Sequence, residues 1–105
     1  MEWIKIFTDK QKATDLLGEN KAYTMMISGR KICLAIIAGQ IVAVSDRCTH
    51  NGESLGKGKV NFLGEVVCPW HGYRFDLKTG RCRSDAPDLE IFPIKEGEEG
   101  IFIGI

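Results

Sequence analysis

The chain has 105 residues, of which 44% are hydrophobic and 27% charged. That length closes one core and is too short for two. Fourteen Lys plus Arg offset fourteen Asp plus Glu, so the formal net charge is zero. This balance excludes the basic excess of a nucleic-acid binder and the polar composition of a disordered chain. No apolar run reaches the roughly 18 residues that span a bilayer, so no membrane segment is expected. Met1-Glu2-Trp3-Ile4-Lys5 lacks a basic stretch followed by an apolar one, so no export signal is expected and the cytoplasm is the expected location.

Trp3 to Thr8 is rich in β-branched and aromatic residues and reads as a first strand. Thr8 and Gln11 have capping-box spacing, and Ala13, Leu16 and Leu17 then line one face before Gly18, which predicts one short helix. Strands follow at Tyr23–Ser28, Ile32–Ile37 and Ile41–Val44, separated by turns at Gly29-Arg30 and Ala38-Gly39. Asp46 to Gly58 is polar, carries Gly52, Gly56 and Gly58, and reads as a long irregular loop. Val60–Leu63 and Glu65–Val67 return to strand character around Gly64. Cys68-Pro69-Trp70-His71-Gly72 is a second irregular loop, with a short strand at Tyr73–Asp76 and a turn at Lys78-Thr79-Gly80. Ile91–Ile94 and Ile101–Ile103 are expected to close the fold as a hairpin around the solvated acidic tip Glu96–Gly100. Short strands with turns every eight to twelve residues or so predict an all-β, antiparallel sandwich or barrel with at most one short helix.

The chain has four cysteines and only two histidines, and each histidine lies within three residues of a cysteine. Cys48-Thr49-His50 is C-x-H; after seventeen intervening residues, Cys68-Pro69-Trp70-His71 is C-x-x-H. A lone cysteine is ordinarily a small buried hydrophobe. Both histidines at ligand spacing from a cysteine are a different matter, and Cys33 and Cys82 stand outside the pattern. Two thiolates and two imidazoles suit tetrahedral zinc or an iron–sulfur cluster. Zinc fingers group like ligands, whereas here each loop offers one of each. Two clamping loops, each reaching both irons of a cluster, would have this mixed composition.

C-T-H at 48–50 with C-P-W-H-G at 68–72 resembles the Rieske [2Fe–2S] signature as it stands in Rieske-type ferredoxins. The resemblance runs through essentially the whole chain and implies a single Rieske domain over residues 1–105, with cluster-binding loops at about 46–58 and 68–72. It implies one [2Fe–2S] cluster per chain, with Cys48 and Cys68 on one iron and His50 and His71 on the other, the imidazoles ligating through Nδ1. Ser84-Asp85-Ala86-Pro87 falls where the family carries a proline-containing third loop over the cluster.

The ligand set bears on the potential. With both irons ferric, a two-histidine cluster is about neutral, so an added electron costs less than in an all-cysteine cluster. High-potential relatives carry a disulfide between the cluster loops and Ser and Tyr hydroxyls that donate to cluster sulfurs. The corresponding positions here are Glu53 and Trp70, and Tyr73 and Phe75. Fewer donors imply a potential near the low end of the range, on the order of −150 mV.

The resemblance implies a one-electron carrier and not an enzyme, passing electrons from a flavin-dependent ferredoxin reductase to a terminal oxygenase. The alternative is the small Rieske-like subunit of an NAD(P)H nitrite reductase, partnered by its large subunit. A free-standing oxygenase would need two further histidines and a carboxylate for mononuclear iron, and both histidines are already committed.

Overall fold

Two dipeptides set the register of the largest sheet in the computed structural model, which describes residues 1–105. Ser28-Gly29 and Ala38-Gly39 have φ values of 50° and 78°, and 51° and 77°. Two consecutive left-handed residues make the hairpin turn whose twist matches that of its strands. They join β2 (Tyr23–Ile27), β3 (Arg30–Ile37) and β4 (Gln40–Ser45), with Ile27 opposite Arg30 and Ile37 opposite Gln40. The first turn is thus Ser28-Gly29, one residue earlier than the sequence suggests, and Arg30 opens β3.

The remaining strands are β1 (Trp3–Phe7), β5 (Lys59–Val60), β6 (Glu65–Val67), β7 (Arg74–Asp76), β8 (Ile91–Phe92), β9 (Ile94–Gly97) and β10 (Gly100–Gly104). They form three antiparallel sheets, ordered β2-β3-β4-β8, β1-β10-β9 and β5-β6-β7. The expected strand Ile91–Ile94 is divided at Pro93. Proline has no N–H for a ladder, so β8 pairs with β4 and the closing hairpin is β9 with β10. Val60–Leu63 also stops early. The Asn61 side-chain oxygen takes the N–H groups of Leu63 and Glu65 and folds Asn61–Gly64 into a turn.

The single helix, α1 (Lys10–Leu17), is capped by Asp9, whose carboxylate accepts from Lys12 N at 2.8 Å. Thr8 is not the cap, and the Gln11 side chain bonds Asp15 instead. Ala13 and Leu17 are buried and Leu16 is exposed. No helix is long and apolar enough to cross a membrane.

β3 is buried on both faces, which is why Ile32–Ile37 is a continuous apolar run. Ile32, Leu34 and Ile36 join Phe7, Leu17, Ile101 and Ile103 in one apolar cluster. Cys33, Ala35 and Ile37, on the opposite face, join Leu55, Val66, Phe75 and Leu77 in a second. The two irregular loops close over this second cluster.

Candidate metal centre

The first loop is held by a buried carboxylate. Asp46 accepts from Gly56 N at 2.7 Å, Thr24 Oγ1 at 3.0 Å and Ser54 Oγ at 2.5 Å, while its carbonyl accepts from Leu55 N. Gly56 lies so close to Thr24 that a Cβ there would collide with its hydroxyl and backbone. Above this anchor, Cys48 N donates to Glu53 O at 2.9 Å and Gly52 N to Cys48 O at 2.7 Å, which folds the loop with His50 near its tip.

The second loop turns through His71 and Gly72, both left-handed at φ 74° and 71°, and closes where Cys68 N meets Tyr73 O at 2.8 Å. A left-handed histidine stores about 1 kcal/mol of strain or more. The loops are laced together by Asn51, whose Nδ2 donates to Trp70 O at 3.2 Å and whose Oδ1 accepts from the Cys68 thiol. The Ser84–Pro87 segment ties to both: Thr49 Oγ1 donates to Pro87 O at 2.5 Å, and Tyr73 OH to Asp85 Oδ1 at 2.9 Å.

These ties bring the candidate ligands together in two pairs, the cysteines in the core and the histidines at the surface. Cys48 and Cys68 are each only 1% exposed. Burial pushes the Cys68 thiol up, and the adjoining Cys48 thiol, hydrogen-bonded to it, adds to the rise. His50 and His71 lie at the surface with ring centroids 5.6 Å apart. Tyr73 stacks on His50 at 3.9 Å and 5°, whereas Trp70 meets His71 tilted at 5.5 Å. The hydrogen bond to Asp85 holds the Tyr73 hydroxyl above its ordinary pKa, so it is a neutral donor at pH 7. Buried sulfur below exposed nitrogen is a donor set that fits a two-iron cluster with chemically distinct irons.

Cys33 and Cys82 belong to the same apolar cluster as Cys48 and Cys68, a proximity that spacing does not carry. Burial, aided by the charge of Asp46, pushes the Cys33 thiol up to about 12, so it stays protonated. Cys82 accepts from Ser84 N at 3.4 Å.

Comparison with known proteins decides the family. The Rieske [2Fe-2S] domain matches residues 5–93. The chain belongs to this family. Its relatives include the ferredoxin component of naphthalene 1,2-dioxygenase/salicylate 5-hydroxylase systems from Ralstonia sp., 30% identical over 83 residues, 77% of this chain and 79% of that one. The ferredoxin of carbazole 1,9a-dioxygenase from Nocardioides aromaticivorans IC177 shares the fold, with a TM-score of 0.83 over 98% of this chain and 97% of that one at 19% identity. A putative nitrite reductase NADPH (small subunit) protein does so too, at 0.79 over 100% of both chains and 19% identity. The Rieske fold and one [2Fe–2S] cluster are therefore properties of this protein.

Three supports of the Rieske site escape sequence reasoning. Asp46 and Asn51 are single polar residues in polar loops, and only the folded chain shows what they bind. The third is Glu65, buried on β6 and held by Asn61 at 2.9 Å and Arg83 at 2.7 Å. Those two hydrogen bonds outweigh burial and hold its carboxyl below its ordinary pKa. Arg83 also bonds Asp76, the residue directly opposite Glu65 on β7, at 3.2 Å. Two carboxylates facing each other repel, and Arg83 bridges them on the strands that flank the Cys68–Gly72 loop.

Proposed function

We propose that Cys48 and Cys68 bind one iron of the cluster and His50 and His71 the other, and that residues 1–105 act as one Rieske unit. In this reading the protein is a one-electron carrier that takes electrons from a flavin-dependent reductase and hands them to a terminal oxygenase. The observation that carries it is the layering of the site. Thiols sealed in the core hold the cluster, while imidazoles 5.6 Å apart at the surface offer a short path to a docked partner. The Ralstonia relative, named as the ferredoxin component of an oxygenase system, supports the choice of partner.

A low potential, on the order of −150 mV, goes with this reading. Glu53 and Trp70 stand where a loop disulfide would need cysteines. Buried Phe75 has no hydroxyl to donate, and the hydroxyl of Tyr73 is engaged by Asp85. A reducing cytoplasm suits four free cysteines.

Purified protein should be red-brown, with about two irons and two acid-labile sulfides per chain. His50→Ala and Cys68→Ala should each lose the cluster and much of the fold, because ligand binding and folding are coupled at such sites. Cys33→Ser and Cys82→Ser should keep the visible spectrum. A colourless protein holding zinc would overturn the assignment. The likeness to a nitrite reductase small subunit supports a second reading. Turnover of an oxygenase by a flavin reductase through this protein supports the carrier; stable co-assembly with a nitrite reductase large subunit supports the other.

A further inference from the structure

The two candidate histidines have unlike surroundings. His71 meets the rings of Trp70 and His50, both tilted. His50 is covered on one face by a near-parallel tyrosine ring, and that tyrosine is fixed at three points. Its backbone carbonyl accepts from Cys68 N, its ring lies on His50, and its hydroxyl donates to Asp85. Asp85 is itself held in place. Pro87, two residues on, accepts from Thr49, and Asp88 accepts from Cys82 N at 2.9 Å. Asp85 takes part in no ion pair, so its charge is not neutralised within the chain.

We propose that Asp85 is a positioning residue for His50, acting through Tyr73 to fix the plane of the imidazole and to hold a negative charge beside the cluster. The proposal rests on His50 as an iron ligand. A tyrosine hydroxyl donating to a carboxylate makes a charge-assisted bond, stronger and more directional than a neutral one. The stacked ring transmits that direction to the imidazole, since any rotation of His50 must part it from Tyr73. The charge acts separately: a carboxylate held near the centre opposes the arrival of an electron. One contact thus sets the geometry of the outer iron's ligand and biases the cluster toward its oxidised state. His71 has no stacked ring of this kind.

Asp85→Asn separates the two effects, because asparagine still accepts the Tyr73 bond but carries no charge. In cluster-loaded protein at pH 7, this variant should shift the reduction equilibrium about threefold toward the reduced state. For a one-electron couple, at 59 mV per tenfold, that is about 30 mV upward. Electron spin-echo spectroscopy of the reduced cluster should show both imidazole nitrogen couplings unmoved. Tyr73→Leu, which removes ring and tether, should change the coupling of one nitrogen and leave the other. In the Tyr73→Phe background, Asp85→Asn should shift the potential much less, because the untethered carboxylate is free to leave the site. Wild-type protein lacking either nitrogen coupling would overturn the ligand assignment, and this proposal with it. Both couplings present, with neither coupling nor potential moved in any variant, would overturn this proposal alone.

Discussion

Phe75 shows how one missing oxygen bears on the cluster. It is wholly buried in the apolar cluster that contains both Cys48 and Cys68, so its ring edge and their sulfurs share one dry environment. Under the proposed ligand set, a hydroxyl donor to either sulfur is worth more to the reduced cluster, which carries more charge, than to the oxidised one. Phe75→Tyr should therefore raise the potential. Each kcal/mol of difference between the two states is about 40 mV in a one-electron couple, so a shift of several tens of millivolts is expected. The added hydroxyl should also cost about 1 kcal/mol of stability, because it must be desolvated in a packed core. Voltammetry at pH 7 decides it; an unmoved potential with an intact spectrum would show that solvent at the histidine edges sets the value. Tyr73→Ser is a poorer test than the sequence suggests, since it removes the ring on His50 along with the bond to Asp85. The four candidate ligands were legible because residue type and spacing together are informative. Asp85 and Asp46 were not, because an isolated aspartate in a polar loop gives no sign of the donors that folding brings to it.

The loop that carries Cys48 and His50 stands on Asp46 as an element stands on its cap. Three donors from Thr24, Ser54 and Gly56 converge on one buried carboxylate, joining β2 to both limbs of the loop. Asp46→Ala would remove the acceptor that all three share, leaving Gly56 N without its partner and the Thr24 and Ser54 hydroxyls only each other. The expected loss is about 3 kcal/mol in urea denaturation, with faster bleaching of the cluster at 37 °C. Bleaching at the wild-type rate would show that Cys48 and His50 hold their geometry without the anchor. The hairpins of β2, β3 and β4 were legible because Gly29 and Gly39 each close a tight turn between strongly apolar runs. The closing region was not. Ile91–Ile94 looks like one strand until the missing N–H of Pro93 sends its halves to different sheets. The cap at Asp9 instead of Thr8 is a one-residue contest between two good capping side chains, and the local sequence does not rank them.

In the whole molecule, β3 separates two apolar layers, and the layer facing the loops carries two acidic and two basic side chains at its margin. There Glu65 and Asp76 face each other across β6 and β7, the strands on either side of Cys68–Gly72. Arg83 spans them, with Arg74 at 3.5 Å from Glu65. The bond from Asn61, followed by that from Arg83, holds Glu65 below its ordinary pKa. For Asp76, burial opposes the charge, but the N–H groups of Thr79 and Lys78 and the charge of Arg83 outweigh it, so its pKa is lowered too. The folded state therefore releases these protons more readily than the unfolded chain. Their stabilisation is complete above the ordinary carboxylate range, about pH 4, and is lost as pH falls through the lowered values. Arg83→Met should weaken both shifts. At pH 7 the variant should be less stable by about 1.5 kcal/mol, the low end for a hydrogen-bonded charge because Arg83 is 40% exposed. Between about pH 5 and 2 its stability should fall less steeply than that of the wild type, so that the two curves converge in acid. Urea denaturation followed by circular dichroism across that range measures the difference, and any acid lability of the cluster common to both proteins cancels from it. Parallel curves would show that Arg83 stabilises by packing alone and leaves the protons of Glu65 and Asp76 where the other partners put them.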